Sequence, residues 1–324
     1  MLLRKDVKVN KLVIGCCSNI DNIYFLQRES KNFLNGASIY SGYSAARILP
    51  TTVITCVGDE PENDELIEKA KKYREFGVPR FDIIKIRGGK SFRQTFGREK
   101  EKGFEVIGKD YGNYNDWNPD VPEFQTKTLL LGTANPIFQK AVLDSCIHSD
   151  NIMLDSKCVH IQKRANKVNE LLRRVDTFFG TDEEIEAVLK NFGLINGVSA
   201  TTLFSIFPNL KVIISKSGAK GGTAYLKDGT YYKYAPVKPA TEICSDGAGD
   251  VFAGTYAAQI TIGKSVKEAI LESAKSASES VKHFGINKVQ KIENIDNVKI
   301  NIEEGRWKRE HEQDTNRSSK WCWS

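Results

Sequence analysis

The stretch Ser245-Asp246-Gly247-Ala248-Gly249-Asp250-Val251-Phe252-Ala253-Gly254 decides the fold of this chain. Gly247 and Gly249 predict a turn that lets a ligand approach the main chain closely, because glycine has no Cβ. Residues 251–262 contain only one helix breaker, Gly254, and indicate a buried helix. A glycine turn that enters a helix presents free N–H groups and the positive end of the helix dipole, so this stretch predicts an anion site.

Asp250 is an acid placed next to this predicted anion site. A carboxylate there repels the ligand, and its position is explained if it takes a proton from a hydroxyl group that attacks the anion. The alternative is that Asp250 is an ordinary first-turn acid, which only favours the helix. For an isolated Gly-x-Gly-Asp, the first-turn acid is the favoured interpretation.

Two other phosphate-binding motifs are absent from the sequence. A dinucleotide-binding Gly-x-Gly-x-x-Gly needs a third glycine at the position that Phe252 occupies. A P-loop needs a glycine five residues before Gly-Lys-Ser, and Ile84 and Ala258 stand at the two positions where it is required. The sequence therefore gives no support for a nicotinamide-dependent oxidoreductase or for a P-loop enzyme.

The composition is that of a globular protein. The 324 residues suffice for one large α/β domain or two modest ones, and the net charge of +6 is spread along the chain, so it suits small anions better than nucleic acid. Seven cysteines without a Cys-x-x-Cys pair favour a reducing, cytoplasmic setting over a disulfide framework or a zinc site. The first apolar run, 12–17, is too short for a signal peptide or a membrane span, so we expect no membrane attachment.

Short buried strands alternate with amphipathic helices along most of the chain. The apolar runs that predict strands are 11–17, 52–57, 127–132, 151–155, 176–180 and 210–215. This alternation predicts a mostly parallel central sheet covered by helices on both faces, with ligands at the carboxyl ends of the strands. Asp21 follows the first strand, where it either contacts a ligand or caps a turn.

The region between residues 81 and 110 has a different pattern, in which polar and apolar residues alternate with period two. The alternating runs are separated by glycine turns and lie at 82–87, 91–96 and 104–108. They predict a small antiparallel sheet with one exposed face, which is typical of a lid over a site; the alternative is an edge extension of the main sheet. Beyond residue 285 the chain becomes polar, and its end, with Trp321 and Trp323, either docks on the domain or stays disordered.

With the opening stretch, this layout resembles the ribokinase-like (PfkB-type) carbohydrate kinase family. The family signature Asp-Thr-Thr/x-Gly-Ala-Gly-Asp-x-Phe is matched from Ser245 and strongly from Gly247 to Phe252. Weaker matches follow in the right order, and they are Asn35-Gly36-Ala37, Gly89-Lys90-Ser91-Phe92, Leu131-Gly132-Thr133-Ala134-Asn135-Pro136 and Lys216-Ser217-Gly218-Ala219-Lys220-Gly221. The resemblance covers roughly residues 10–286.

The resemblance implies a three-layer α/β/α, ribokinase-like domain with a mostly parallel central sheet and a small antiparallel β lid. The implied kinase domain spans residues 1–286, with the lid from about 19–37 and 81–115, and a polar C-terminal extension spans 287–324. The family also offers a homodimer formed through the lid.

The resemblance also implies a reaction, in which the γ-phosphoryl group of ATP is transferred to a primary hydroxyl of a sugar or nucleoside. Asp250 is the implied general base, and the N–H groups of Gly247, Ala248 and Gly249 are implied to stabilise the transferring phosphoryl group. The other implied site residues are Lys216, Gly218 and Gly221 for the nucleotide, Asp21, Asn35, Gly36 and Phe92 for the substrate, and Glu184 for a magnesium ion (Mg2+).

Three residues depart from the family pattern. Cys244 replaces the leading aspartate of the signature, Asp246 adds a carboxylate beside the predicted anion site, and Thr181 replaces the asparagine of an Asn-x-x-Glu motif that keeps Glu184. None of these changes removes Asp250 or the glycines, so a working kinase is favoured over a catalytically silent member that binds a nucleotide or sugar and acts as a regulatory or interaction protein. Turnover of ATP that depends on an added acceptor distinguishes the two.

Overall fold

A computed structural model describes most of the chain. The described residues are 9–24, 32–65, 68, 79–85, 89–99, 103–110, 112, 119–194, 197–237, 241–285, 287–290, 292 and 295–307. Their strands are β1 Val9–Cys17, β2 Asn19–Tyr24, β3 Asn32–Asn35, β4 Thr51–Val57, β5 Arg80–Lys85, β6 Phe92–Glu99, β7 Gly103–Asp110, β8 Phe124–Leu131, β9 Cys146–His148, β10 Asn151–Asp155, β11 Thr177–Thr181, β12 Val212–Lys216, β13 Gly222–Leu226, β14 Thr230–Pro236 and β15 Ile300–Arg306. Their helices are α1 Ala37–Ala46, α2 Pro136–Ser145, α3 Cys158–Lys163, α4 Ala165–Leu172, α5 Asp182–Lys190, α6 Leu203–Ile206, α7 Ala248–Thr261, α8 Val266–Ser280 and α9 Asn287–Gln290.

The main sheet is mostly parallel, as predicted. Its strands follow the order β15-β14-β13-β12-β11-β10-β8-β1-β4-β5, with β9 paired to β8 beside this path. All neighbours from β12 to β5 are parallel, whereas β13, β14 and β15 add antiparallel strands at one edge. The carboxyl ends of the parallel strands therefore meet along one edge of the sheet, where the cavity described below lies.

Helices cover both faces of this sheet and give the predicted three layers. Along β1, Val13 packs into a cluster with α2, α4 and α5, while Leu12 and Ile14 pack into the opposite cluster with α1, α7 and α8. Successive side chains of a strand point to opposite faces, so a strand that is apolar at every position is buried on both. The continuous apolar run of β1 is explained by this arrangement.

The helix predicted from the opening stretch is α7, and it is buried on nearly all sides. It packs against α1 so closely that a Cβ on Gly254 would lie 2.3 Å from the carbonyl oxygen of Ser41. Gly254 therefore allows the two helices to approach each other, which explains why a helix breaker is retained inside a buried helix.

A separate small sheet is also confirmed, with the strand order β3-β2-β6-β7. The pairs β2–β3 and β6–β7 are antiparallel, as predicted, but β2 and β6 are parallel to each other. The run 82–87 was wrongly assigned to this sheet, because β5 pairs in parallel with β4 at the edge of the main sheet. An edge strand with one exposed side produces the same alternation as a lid strand, so the pattern alone could not separate them. The lid and dimer roles of the small sheet stay predictions.

The fold continues past the predicted boundary at residue 286. Strand β15 pairs with β14 along seven residues, and Trp307 stacks on Phe204 with ring centroids 5.6 Å apart and donates from Nε1 to the Leu226 carbonyl at 3.0 Å. Segment 287–307 therefore belongs, where it is described, to the main domain.

The predictions for Trp321 and Trp323 lie outside the described residues. Within the described part of the chain, no helix combines the length and apolarity that crossing a membrane requires.

Candidate active site

A cavity of about 690 Å³ opens at the carboxyl ends of β8, β10, β11 and β12, below the small sheet. Its predicted lining residues are Lys216, Gly218, Gly221, Glu184, Gly247, Ala248, Gly249 and Asp250. The structure therefore brings together in one cavity every residue predicted for catalysis, the nucleotide and the metal.

The predicted anion turn forms the floor of this cavity. Gly247 has a φ of +81°, and a Cβ there would lie 2.2 Å from the ring of Tyr40 on α1, so both backbone strain and packing require glycine. The N–H of Ala248 donates to the Ser245 carbonyl at 3.1 Å and closes the turn. Ala248 is therefore a poorer phosphate donor than predicted, and among the described residues the turn leaves the N–H groups of Gly247 and Gly249 for a ligand.

Asp250 lies in the first turn of α7 and faces the cavity. Burial raises the pKa of its carboxyl to about 6, with Asp155 and Asp246 adding to the rise and Lys157 and Lys216 opposing it. Its main chain is fixed, because the Ser41 hydroxyl donates to the Asp250 carbonyl oxygen at 3.0 Å. A carboxyl that titrates near neutrality is a better proton acceptor than an ordinary aspartate and is still ionised at physiological pH.

Lys216, at the end of β12, forms an ion pair that the sequence did not predict. Its Nζ lies 3.0 and 2.8 Å from the two carboxylate oxygens of Asp155, and the two side chains are only 15% and 4% exposed. Burial lowers the pKa of Lys216, but the charges of Asp155 and Glu184 outweigh it and hold the pKa above its usual value. The Nζ also lies 3.5 Å from the place that a Cβ on Gly249 would occupy, so the ammonium stands beside the anion turn.

Glu184 closes a capping box at the start of α5. Its Oε2 accepts from the N–H of Thr181 at 2.7 Å, and its own N–H donates to the Thr181 hydroxyl at 3.2 Å. Thr181 therefore caps α5 at the position where the ribokinase-like family pattern has asparagine. Burial raises the pKa of Glu184, and the charge of Asp155 raises it further.

The carboxylates of this cavity are oxygen ligands of the kind that Mg2+ prefers. In the described part of the chain, however, no group of three or more His, Cys, Asp or Glu side chains is arranged to hold a metal ion. The carboxylates that line the cavity, Glu184 among them, are of a kind that fits a magnesium ion.

Three charged residues of the cavity were missed by sequence reasoning, and these are Asp155, Lys157 and Glu242. Asp155 and Lys157 end and follow β10, so the rule that places ligands at the carboxyl ends of parallel strands could have indicated them. Lys157 is exposed to the cavity and makes no ion pair within 4.0 Å among the described residues. Burial lowers its pKa, but Asp250, Cys17, Asp246 and Asp155 together raise it above the usual value.

The predicted substrate residues lie at the junction of the small sheet with α1. Asn35 is 1% exposed, and Gly36 has a φ of +98° and would place a Cβ 2.9 Å from the Asn19 side chain. Asn19 in turn donates to Gln94 Oε1 at 3.2 Å. Asp21 pairs in β2 with Phe33 and Gln94, and its side chain lies outside the described residues.

Phe92 does not line the cavity, which is lined instead by Phe96 and Val106 of the small sheet. Phe92 and Phe96 lie on the same face of β6, since they are four residues apart, and only Phe96 reaches the opening. Small and apolar residues also line the cavity, and these are Pro236, Ala274, Ala277, Ser278 and Val281. Such a lining suits an apolar ring, while the charged residues suit phosphate.

Comparisons with known proteins bear on the fold and the family of the chain. The chain matches a family model described as pfkB family carbohydrate kinase over residues 128–293, which is just over half of its length. Two curated relatives are both named 5-dehydro-2-deoxygluconokinase. The protein from Clostridium tetani is 36% identical over 86 residues, 26% of this chain and 25% of that one. The protein from Lacticaseibacillus casei is 30% identical over 142 residues, 43% of this chain and 41% of that one. The matches thus span less than half the length of these relatives.

Solved structures share the fold over most of the chain. Arabidopsis thaliana ribokinase, determined with ribose and ATP, superposes with a TM-score of 0.64 at 18% identity and covers 88% of this chain and 99% of its own. Ribokinase from Cryptococcus neoformans, determined with ADP, has a TM-score of 0.67 at 16% identity and covers 89% and 98%. The fold is therefore ribokinase-like, and the chain belongs to the pfkB family of carbohydrate kinases.

Proposed function

We propose that this protein transfers the γ-phosphoryl group of ATP to a primary hydroxyl of a sugar. The observation that carries the proposal is the position of Asp250, whose carboxyl, with a pKa of about 6, faces the cavity one residue after the turn that offers the N–H groups of Gly247 and Gly249. A proton acceptor beside an anion site is what an attacking hydroxyl needs. A sugar is favoured over a nucleoside because the two curated relatives are named as sugar-derivative kinases.

The residues divide the reaction between them. Asp250 accepts the proton of the attacking hydroxyl, and the Gly247 and Gly249 N–H groups, together with Lys216, stabilise the charge that develops on the phosphoryl oxygens. Lys157, which also lines the cavity, offers a second ammonium that acts on Asp250. The small and apolar lining residues, Ala274 and Ala277 among them, hold the base of the nucleotide. Phe96 and Val106 on the small sheet close over the acceptor and exclude water.

The charge balance of the cavity supports a magnesium-dependent reaction. Five carboxylates line it, from Asp155, Glu184, Glu242, Asp246 and Asp250, against the two ammonium groups of Lys157 and Lys216. A polyphosphate entering this cavity is repelled unless further positive charge comes with it. A bound magnesium ion supplies that charge, and Glu184 is the residue that we propose to help hold it.

The direct test is ADP release from ATP and magnesium across a panel of neutral sugars, sugar acids and nucleosides. We expect one sugar or sugar acid to stimulate release by the wild type, and Asp250→Asn to reduce that activity by roughly 10²- to 10⁴-fold, the size of a general-base effect. The matched control is Asp228→Asn, in the turn between β13 and β14, which should keep wild-type activity. If no acceptor stimulates the wild type while ADP still binds, the kinase proposal fails and a catalytically silent binding protein is favoured.

A further inference from the structure

Lys288 is a fully buried lysine that the proposed reaction does not use. It lies in α9, its side chain is 0% exposed, and its Nζ donates to the carbonyl oxygen of Cys244. Removing an ammonium group from water is costly, so a buried lysine needs a compensating interaction. Its partner is the residue directly before the anion turn 245–249.

The segment that carries Lys288 is fixed to the rest of the domain. The Arg47 guanidinium on α1 donates to the Val289 carbonyl at 2.9 Å and to the Ile292 carbonyl. Val289 and Ile292 are 1% and 2% exposed and pack in one cluster with Tyr40, Tyr43 and Val251. Because the backbone around Lys288 is anchored in this way, its ammonium is held at a defined place rather than at the end of a mobile chain.

Cys244 connects Lys288 to the anion turn, because it is hydrogen-bonded to Lys288 and directly precedes the turn. It is 2% exposed, its N–H donates to the Val281 carbonyl at 3.1 Å, and its own carbonyl accepts from Lys288. Both peptide groups of Cys244 are therefore fixed, and the turn begins at the next residue. Within the turn, the Ser245 carbonyl accepts from the Ala248 N–H, so the orientation of Ser245 sets that of 247–249.

The charge of Lys288 is not neutralised by a contact ion pair among the described residues. The titratable groups that act on it are Cys244, Asp246 and Glu242, and burial outweighs them, so the pKa of Lys288 lies below its usual value. Two of these carboxylates, Asp246 and Glu242, also line the cavity. The Lys288 ammonium is buried and is not among the residues that line the cavity, and it offsets the charge of these two acids from within the protein.

We propose that Lys288 is a built-in cation that holds the anion turn 245–249 in its phosphoryl-binding geometry, and that it acts as a positioning residue of the reaction. The proposal rests on the proposed kinase function for its catalytic consequence. Its structural consequence, an ordered turn, is independent of the reaction. A displacement of about 1 Å in a catalytic group can cost a factor of about 100 in rate.

The test compares Lys288→Met with Lys127→Met. Lys127 also donates from Nζ to a backbone carbonyl, that of Thr261 at 2.8 Å, but at the opposite end of the same helix α7. We expect Lys288→Met to lower kcat by about 10- to 100-fold, with the KM for the acceptor changed by no more than about threefold, and Lys127→Met to leave both unchanged. In hydrogen exchange, Lys288→Met should lose protection at residues 244–250 before the strands of the main sheet do, and Lys127→Met should not.

Chemical rescue gives a second, independent readout. Lys288→Ala leaves a space next to the Cys244 carbonyl that ammonium or methylammonium ions can enter, so these ions should restore part of kcat and of the protection at 244–250, and tetramethylammonium, which is too large, should not.

The proposal is overturned if the activity of Lys288→Met falls only in proportion to a general loss of folded protein, or if neither ion rescues Lys288→Ala. Failure of the proposed kinase function gives a different result, because the wild type would then phosphorylate no acceptor. The hydrogen-exchange comparison of Lys288→Met with Lys127→Met would still decide whether Lys288 orders the turn.

Discussion

Replacing Asp250 by asparagine should make the protein more stable while it removes the activity. In the folded protein, burial raises the pKa of this carboxyl from 3.8 to about 6. The folded state therefore holds the proton more tightly than the unfolded state does, and ionising Asp250 above its folded pKa costs free energy. Asparagine has nearly the same shape and carries no charge, so it avoids that cost.

The sign and size of the effect follow from the pKa shift. Below the ordinary pKa of 3.8 the carboxyl is protonated in both states, and the wild type and the variant differ little. As the pH rises from about 4 to about 6, Asp250 ionises in the unfolded state before it does in the folded state, so the wild type loses stability and the variant does not. A shift of about two pKa units corresponds to roughly 3 kcal/mol. Water in the cavity and the loss of the attraction to Lys157 reduce the expected gain to about 1 to 2 kcal/mol at pH 8.

Thermal unfolding of both proteins at a series of pH values from 4 to 8 measures this effect. The variant should unfold roughly 2 to 4 °C higher at pH 8, and the difference should shrink as the pH falls. Asp228→Asn is a control with the opposite sign, because the Thr230 N–H, 2.8 Å from Oδ1, lowers the pKa of Asp228. A variant at position 250 that is no more stable than the wild type at pH 8, with a difference that does not depend on pH, would falsify the assignment of a buried carboxyl with a raised pKa.

Two further substitutions test the walls of the site. Lys216→Met leaves the carboxylate of Asp155, which is 4% exposed, without its partner, and should lower the free energy of unfolding by about 3 kcal/mol in urea titrations. The control Lys140→Met removes exposed ion pairs and should cost less than about 1 kcal/mol. Equal losses in the two variants would contradict the assignment of a buried ion pair. Gly247→Ala forces a Cβ into the Tyr40 ring at a φ of +81°. It should reduce kcat, measured as ADP release, by at least about tenfold. Full activity would show that the turn is free to move.

The glycine turn before α7 could be predicted from the sequence because its requirements are local. Gly247 is needed for its backbone angle, and Asp250 and the helix follow within a few residues. The alternation of strands and helices is also local, and it predicted the parallel sheet and its three layers. Each of these features depends on about ten consecutive residues, which is the range over which periodicity can be judged.

The errors concern features that depend on residues far apart in the chain. Asp155 and Lys157 follow the pattern of strand ends, but only the tertiary fold shows that Asp155 pairs with Lys216 on β12 and that Lys157 acts on Asp250 of α7. The run at 82–87 has the alternation of any half-exposed strand, and only its partner, β4, shows which sheet it joins. The polar segment after residue 286 hides β15, because an edge strand needs few apolar residues when half of its surface faces water.

The Asp246 carboxylate, which departs from the family signature, has a consistent electrostatic role in this cavity. Burial is the main cause of the raised pKa of Asp250, and Asp246 adds to it. Asp246 also raises the pKa of Lys157, so in the proposed reaction it strengthens the base and keeps the neighbouring ammonium charged. The same charge repels an incoming phosphate, but Lys216 stands beside the turn and Lys288 attracts Asp246. Under the proposed function, the added acid is tolerated because these two lysines offset its charge, and a stronger base is the advantage that it brings.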